Sequence, residues 1–155
     1  HRTAGPRLRE ACRAQMQSRD GLLLPGTPPL MTPGFHLPAK YVLHCTGPNL
    51  FSGKKPLGNR GDRGYSDEEQ ALLTACYTLC LDAANDAGLW SIAFCSLSTG
   101  CFGFPSEPAA RTALEATRKW MDEHPAASRS LRVVIFDTFE KPTREIYARL
   151  APEVM

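Results

Sequence analysis

Short apolar runs alternate along this chain with longer segments of helical period. Residues 41–45, 90–97 and 131–136 are typical of buried strands, and a shorter strand is expected near Leu30. Helical periods occupy residues 7–17 and the stretches that follow Ser66, Ser106 and Pro142. Strands that alternate with helices predict an α/β fold, in which helices cover both faces of a mostly parallel sheet.

Local signals refine this outline. Ser66 with Glu69 three residues later is the pattern of a capping box, and Gly88 is expected to end the helix that follows. Ser106 is expected to cap the next helix. Residues 49–65 are rich in glycine and predict a surface loop. Residues 131–136 are apolar apart from Arg132, so we expect that strand to be buried on both faces.

Composition limits the class of protein. The 155 residues, 43% hydrophobic and 22% charged, predict a single globular domain over residues 1–155. The net charge of +2 is too small to indicate a basic surface for nucleic acid or for an anionic membrane, so neither is expected as a partner. No apolar run reaches the roughly 18 residues of a membrane span, and no signal peptide is visible. The chain begins at His1 and not Met, so we expect a fragment or a processed chain. Its cysteines, interpreted below as reduced, favour a cytoplasmic location.

The six cysteines allow two interpretations. An even number is compatible with three disulfides in a secreted chain, but these cysteines lie within apolar helix and strand patterns, which favours reduced, buried thiols. Cys76 and Cys80 are four residues apart, a spacing that can hold a metal. No matching His or Cys pair stands near them in sequence, so burial is the preferred interpretation. His44 is interpreted as a core histidine, and His36 as exposed.

Residues 98–105 join a predicted strand to a predicted helix. Gly100 and Gly103 allow a sharp turn, and successive N–H groups in such a turn form a nest for an anion at a helix N-terminus. The hydroxyls of Ser98 and Thr99 are further candidate donors. The loop lacks the Gly-Lys-Ser/Thr ending of a P-loop. From spacing alone, phosphate binding and a plain glycine-rich connector remain equally open.

The motif Ser-Thr-Gly-x-Phe-Gly-Phe-Pro at residues 98–105, after the strand-like residues 91–94, resembles the diphosphate loop of macrodomains, which bind ADP-ribose. Residues 4–12, 40–48, 72–77, 109–110 and 133–136 also resemble macrodomain segments in the family's order. The resemblance implies a three-layer α/β/α fold with a mixed, mostly parallel central sheet. Residues 37–44 and 93–100 look most like the zinc-containing branch, whose members remove ADP-ribose from modified proteins.

The resemblance also indicates what this chain lacks. Family members carry upstream strands and a first ligand loop before the segment that matches His1, so we expect an N-terminally truncated macrodomain. The zinc ligands of that branch belong to the upstream segment. None of the six cysteines therefore takes a zinc role, zinc is expected only in the intact protein, and no catalytic residue is assigned.

The ligand-binding residues that the resemblance implies lie on two loops. Phe102 is expected beside the distal ribose and Phe139 against the adenine. The nucleophilic role that the thiol of Cys101 could take is not favoured. The full set is Ser98, Thr99, Gly100, Cys101, Phe102, Gly103 and Phe139.

Two classes of function follow from the resemblance. The first is a hydrolase that cleaves ADP-ribose from protein side chains. The second is a reader that binds ADP-ribose without chemistry, and a phosphatase of ADP-ribose phosphate is a weaker third possibility. In each case the expected partner is ADP-ribose or an ADP-ribosylated protein, and the intact protein is expected to be a monomer.

Overall fold

The order of elements is the one that the sequence predicts. The computed structural model describes residues 1–51, 64–126 and 128–155. In chain order the elements are α1 Pro6–Gln17, β1 Leu30–Pro33, β2 Tyr41–His44, α2 Asp67–Asp86, β3 Ser91–Cys95, α3 Ser106–Glu123, β4 Val133–Asp137 and α4 Lys141–Val154. Most of the surface loop predicted at residues 49–65 lies outside the described residues.

The strands pair in both senses, as expected for a mixed sheet. β1 and β2 are antiparallel, with Leu30 opposite His44. β3 and β4 are parallel, from Ser91 opposite Val133 to Cys95 opposite Asp137. Among the described residues these are two separate pairs. A groove of about 560 Å³ runs between them, lined by residues of both β2 and β3.

The main core lies between the β3–β4 pair and the helices α2, α3 and α4. Aromatic rings connect these layers: Phe94 of β3 lies 5.0 Å from Tyr77 of α2 and 6.2 Å from Phe136 of β4, measured between ring centroids. Phe136 in turn stacks on Tyr147 of α4 at 5.2 Å. Stacked and edge-on rings add to the free energy of burial. This cluster fixes the two parallel strands, and thus the loops that follow them.

Two of the three predicted helix boundaries are confirmed. The Ser66 hydroxyl accepts from the Glu69 N–H at 3.1 Å, and the Glu69 carboxylate accepts from the Ser66 N–H at 2.9 Å, which completes the capping box. Gly88, with φ +66°, follows the end of α2. The expectation that Ser106 caps α3 is wrong, because Pro105 occupies the N-cap and no side chain caps that helix.

The prediction that β4 is buried on both faces is also wrong. Ile135 is 49% exposed, whereas its neighbour Phe136 faces the core. β3 shows the same alternation, with Phe94 buried between the exposed Ala93 and Cys95. Among the described residues, one face of this strand pair is therefore open. No helix in the described part of the chain is long and apolar enough to cross a membrane.

The interpretation of His44 as a core histidine is confirmed in part, because the ring is hydrogen-bonded but only half-buried. Its Nε2 lies 2.9 Å from the hydroxyl of the fully buried Thr32 and 3.5 Å from the Cys12 thiol. Burial lowers the pKa of His44 below its usual 6.5, because the charged imidazolium loses solvation. The neutral ring thus joins α1 to the β1–β2 pair.

All six cysteines are free thiols, and their exposure differs. Cys76 and Cys80 are buried, as expected, whereas Cys95 and Cys101 are exposed, so the expectation of general burial fails for those two. Burial raises the pKa of Cys76 and Cys95, and the neighbouring Cys45 together with burial raises that of Cys80. These three groups therefore remain thiols near neutral pH.

Candidate functional site

Three loops meet at the carboxyl ends of the strands. The loop after β3 contains residues 98–103, which we call the glycine-rich loop. The parallel register sets Cys95 beside Asp137, so the residues after β4 leave the sheet at the same end. The turn after β2 is there as well, because the Leu50 N–H donates to the Phe102 carbonyl oxygen at 3.0 Å. Ligands of parallel α/β sheets bind at this end.

The glycine-rich loop has a left-handed residue at each end. Ser98 has φ +62° and Gly103 has φ +72°. Two backbone hydrogen bonds close the loop: the Phe104 N–H donates to the Ser98 carbonyl oxygen at 2.9 Å, and the Gly103 N–H to the Gly100 carbonyl oxygen at 3.1 Å. The backbone thus adopts the left-handed conformation that a tight turn needs at Ser98 and Gly103, and not at Gly100.

The backbone of the loop presents free donors. Within the described residues, none of the four successive N–H groups of residues 99–102 donates to a protein acceptor. Consecutive N–H groups in a turned backbone form a nest that binds anions, and phosphate oxygens are suitable acceptors. α3 begins directly behind the loop at Ser106, and its N-terminus adds a partial positive charge.

Gly100 lies at the open centre of the loop. The residue is exposed, and a Cβ added to it would meet no atom within 4 Å. Its φ also lies outside the left-handed range that favours glycine. No contact within the described protein requires glycine here, so the space that a side chain would occupy is left for a ligand close to the backbone.

The two hydroxyls of the loop are differently placed. The Thr99 hydroxyl donates to the Ser96 carbonyl oxygen at 3.2 Å, so its proton is already engaged in a hydrogen bond within the protein. The Ser98 hydroxyl oxygen is buried, with no hydrogen-bond partner among the described residues. A Cβ added to Gly47 would overlap this oxygen, which shows how closely the turn after β2 approaches the loop.

Buried tyrosines lie close to the end of β3 that leads into the loop. The Tyr77 hydroxyl accepts from the Leu97 N–H at 3.4 Å, directly before the loop. Burial raises the pKa of Tyr77 and of Tyr147, because neither phenolate would be solvated. Both phenols therefore stay protonated at neutral pH, and the uncharged Tyr77 hydroxyl holds the backbone directly before the loop.

The aromatic candidates occupy different environments. Phe102 is half-buried within the loop. Phe139, two residues beyond β4, is 102% exposed, which is unusual for a phenylalanine and leaves its ring free for a flat ligand. The structure thus brings the six loop residues together and sets Phe139 on the neighbouring loop of the same rim.

Sequence reasoning missed the turn after β2. Leu50 is 1% exposed and belongs to the main core, although residues 49–65 were predicted as a surface loop. A Cβ on Gly103 would overlap the ring of Phe51, so that ring lies directly on the glycine-rich loop. Two adjacent apolar residues in a stretch otherwise rich in glycine and charge were the available signal.

The described residues do not fit a zinc site. No group of three His, Cys, Asp or Glu side chains in residues 1–51, 64–126 and 128–155 is close enough to hold a metal ion. Cys76 and Cys80 fall among the residues tested, and the Cys76 thiol donates to the Thr46 carbonyl oxygen at 3.3 Å. We therefore derive no chemical step through a metal.

Residues 1–113 match the family described as Macro domain. Since the match covers more than half of the chain, the chain belongs to the Macro domain family. The solved Trypanosoma brucei macrodomain in complex with ADP-ribose has a TM-score of 0.71 and 34% identity, covering 96% of this chain and 53% of that one. The fold is therefore the α/β/α fold of macrodomains.

Two curated relatives carry names that describe an activity. The chain is 38% identical to the "Probable bifunctional ADP-ribose hydrolase/ADP-ribosyltransferase" of Fusarium oxysporum f. sp. cubense, over 97% of the chain and 24% of that protein. It is 36% identical to the "Protein-ADP-ribose hydrolase" of Treponema medium, over 97% of the chain and 51% of that protein. The chain thus spans about a quarter of the length of the first relative and about half of the length of the second.

Proposed function

We propose that this chain binds ADP-ribose at the rim formed by its three loops and belongs to an enzyme that removes ADP-ribose from modified protein side chains. The observation that carries the binding proposal is that the four N–H groups of residues 99–102 donate to no acceptor among residues 1–51, 64–126 and 128–155. The names of the relatives, and the ADP-ribose complex of the similar solved structure, support the choice of ligand and reaction.

Each part of the rim has a role in this proposal. The N–H groups of residues 99–102 hold the diphosphate, and the open space above Gly100 lets it approach the backbone. Phe102 lies along the distal ribose, and Phe139 stacks on the adenine. Holding both ends of the ligand orients the anomeric carbon of the distal ribose towards attacking water, which lowers the entropic part of the barrier.

A reader that binds ADP-ribose without cleaving it is the second candidate. One observation favours it: the glycine-rich loop contains a single titratable side chain, the exposed thiol of Cys101, and no carboxylate or histidine. The described loop therefore binds and orients, but it offers no strong general acid or base. The likeness to the zinc-containing branch belongs to the hydrolase proposal, and the described residues contain no group of three His, Cys, Asp or Glu side chains that could hold that metal.

Two measurements separate these functions. Calorimetric titration with ADP-ribose and with AMP tests binding, and we expect ADP-ribose to bind far more tightly because AMP lacks the diphosphate bridge. Release of ADP-ribose from an ADP-ribosylated protein tests hydrolysis, with Trp90→Ala, at an exposed position at the opposite end of β3, as a control that should keep full activity. Equal affinity for ADP-ribose and AMP would refute the site. Tight binding without release would establish the reader.

A further inference from the structure

The turn after β2 contacts the glycine-rich loop at several points, and we call residues 47–51 the bracing segment. The Leu50 N–H donates to the Phe102 carbonyl oxygen at 3.0 Å. The ring of Phe51 lies on Gly103 so closely that a Cβ at that glycine would overlap it. These contacts reach the second half of the glycine-rich loop.

The bracing segment also contacts the first residue of that loop. A Cβ added to Gly47 would overlap the Ser98 hydroxyl oxygen, so the absence of a side chain at Gly47 is what admits the serine. Ser98 and Gly103 are the two left-handed residues of the loop. The bracing segment therefore touches both positions at which the loop turns.

The bracing segment is itself anchored. Leu50 is buried in the main core, and the Asn49 side-chain oxygen accepts from the Phe51 N–H at 3.0 Å. Directly before the segment, the Thr46 carbonyl oxygen accepts from the Cys76 thiol of α2 at 3.3 Å. Anchors to the core and to a helix give the segment the rigidity that a brace requires.

The glycine-rich loop needs such support. A serine with φ +62° adopts a conformation that is costly for a residue with a Cβ and that persists only where the surroundings impose it. The loop's own two closing hydrogen bonds run from the Phe104 N–H to the Ser98 carbonyl oxygen and from the Gly103 N–H to the Gly100 carbonyl oxygen, and neither involves an N–H group of residues 99–102. Four N–H groups converge on one ligand only while both turns are held.

We propose that Phe51 is a positioning residue, whose ring holds Gly103 in place so that the N–H groups of residues 99–102 converge on the diphosphate. The proposal rests on the proposed ADP-ribose site, because it concerns the conformation of that same loop. In this proposal Phe51 affects the ligand only through the conformation of the loop.

The first test is ligand affinity of the Phe51→Ala variant. If losing the ring leaves the loop in its binding conformation about a tenth of the time, the apparent affinity for ADP-ribose and for ADP falls about tenfold. Binding of AMP should not change, since it does not depend on the diphosphate contacts. Phe51→Met, which restores apolar volume, should recover most of the affinity. Trp90→Ala is the matched control, because Trp90 is exposed at the opposite end of β3.

The second test is a double-mutant cycle with Gly103→Ala. The new methyl group overlaps the Phe51 ring in the wild-type background, and this overlap is absent in the Phe51→Ala background. The backbone strain at φ +72° is present in both backgrounds and cancels. We expect Gly103→Ala to cost at least ~3-fold less ADP-ribose affinity when Phe51 is absent.

The outcomes distinguish this proposal from the proposed function. Failure of the wild-type protein to bind ADP-ribose would remove the proposed function, and the role of Phe51 with it. A wild type that binds and a Phe51→Ala variant of equal affinity would overturn the positioning role alone. An equal loss for ADP and AMP, or a lower melting temperature with no difference between the ligands, would also overturn it, because Phe51 would then be merely structural.

Discussion

Placing a negative charge at Gly100 should abolish ligand binding and leave the fold intact. The Gly100→Glu side chain begins clear of the described residues, since a Cβ there meets none of their atoms within 4 Å and the backbone is not left-handed. The melting temperature should therefore stay near that of the wild type. In the proposed complex, the new carboxylate lies beside the two phosphates that the N–H groups of residues 99–102 hold.

The size of the effect follows from Coulomb's law. Two unit charges about 4 Å apart, at an effective dielectric constant of about 20, repel each other by about 4 kcal/mol. Gly100 is exposed, so solvent screening reduces this value, and we take about 2 kcal/mol, which corresponds to a roughly thirty-fold loss of affinity. The loss should shrink at high ionic strength, because salt screens exposed charges.

Calorimetric titration with ADP-ribose measures this loss, and Gly100→Gln is the matched control. Glutamine adds the same bulk without the charge, so the difference between the two variants isolates the electrostatic repulsion. If Gly100→Glu binds ADP-ribose within about threefold of the wild type, the loop does not hold the diphosphate and is only a connector. If the glutamine variant loses as much affinity as the glutamate variant, bulk and not charge is responsible.

Three further perturbations test other parts of the structure. Because burial lowers the pKa of His44 below 6.5, the unfolded chain binds a proton more readily than the folded one as pH falls below about 6.5, so stability should drop there. Urea unfolding at pH 7.5 and 5.5 should show a smaller drop for His44→Gln, and an equal drop would refute this origin. Asn85→Ala should cost about 1–3 kcal/mol, since the Asn85 side-chain oxygen accepts from the N–H groups of Ser130 and Leu131; an unchanged urea midpoint would contradict it. Phe139→Ala should leave the melting temperature unchanged but weaken ADP-ribose binding about tenfold if the ring stacks on the base, and unaltered affinity would exclude that contact.

The elements of the fold could be predicted because their signals are local. The capping box at Ser66 and the left-handed Gly88 specify the ends of α2 through neighbouring residues alone. The failure at Ser106 has a local origin too. Pro105 already adopts the extended N-cap conformation, with φ −60° and ψ 134°, so Ser106 becomes the first residue of the helix.

Burial of a strand face could not be predicted, because it depends on distant parts of the molecule. The apolar sequence of β4 shows that both faces tolerate burial, but Ile135 remains exposed among the described residues. The same limit applies to the turn after β2. Nothing near Leu50 and Phe51 in sequence indicates that their partners are about fifty residues away in the glycine-rich loop.

The structure tests the placement of the predicted loop but not its binding of a ligand. The motif at residues 98–105 lies between β3 and α3, as predicted, and the N–H groups of residues 99–102 donate to no acceptor among the described residues. It suggested that both glycines serve the turn, whereas the left-handed positions are Ser98 and Gly103. A serine with positive φ is uncommon, so sequence favours glycine for that role. Gly100 is therefore explained by the space above it rather than by its backbone angles.

The β1–β2 and β3–β4 pairs are separate among the described residues, so contacts between loops determine how the turn after β2 lies against the glycine-rich loop. Among the described residues, β2 and β3 share no backbone ladder, and a groove lies between them. A ladder would have fixed the relative position of the loops that follow these strands. Here that position depends instead on the hydrogen bond from Leu50 to Phe102 and on the contacts of Gly47 with Ser98 and of Phe51 with the loop. Changes in this turn should therefore alter ligand binding more than changes of similar size within β2 itself.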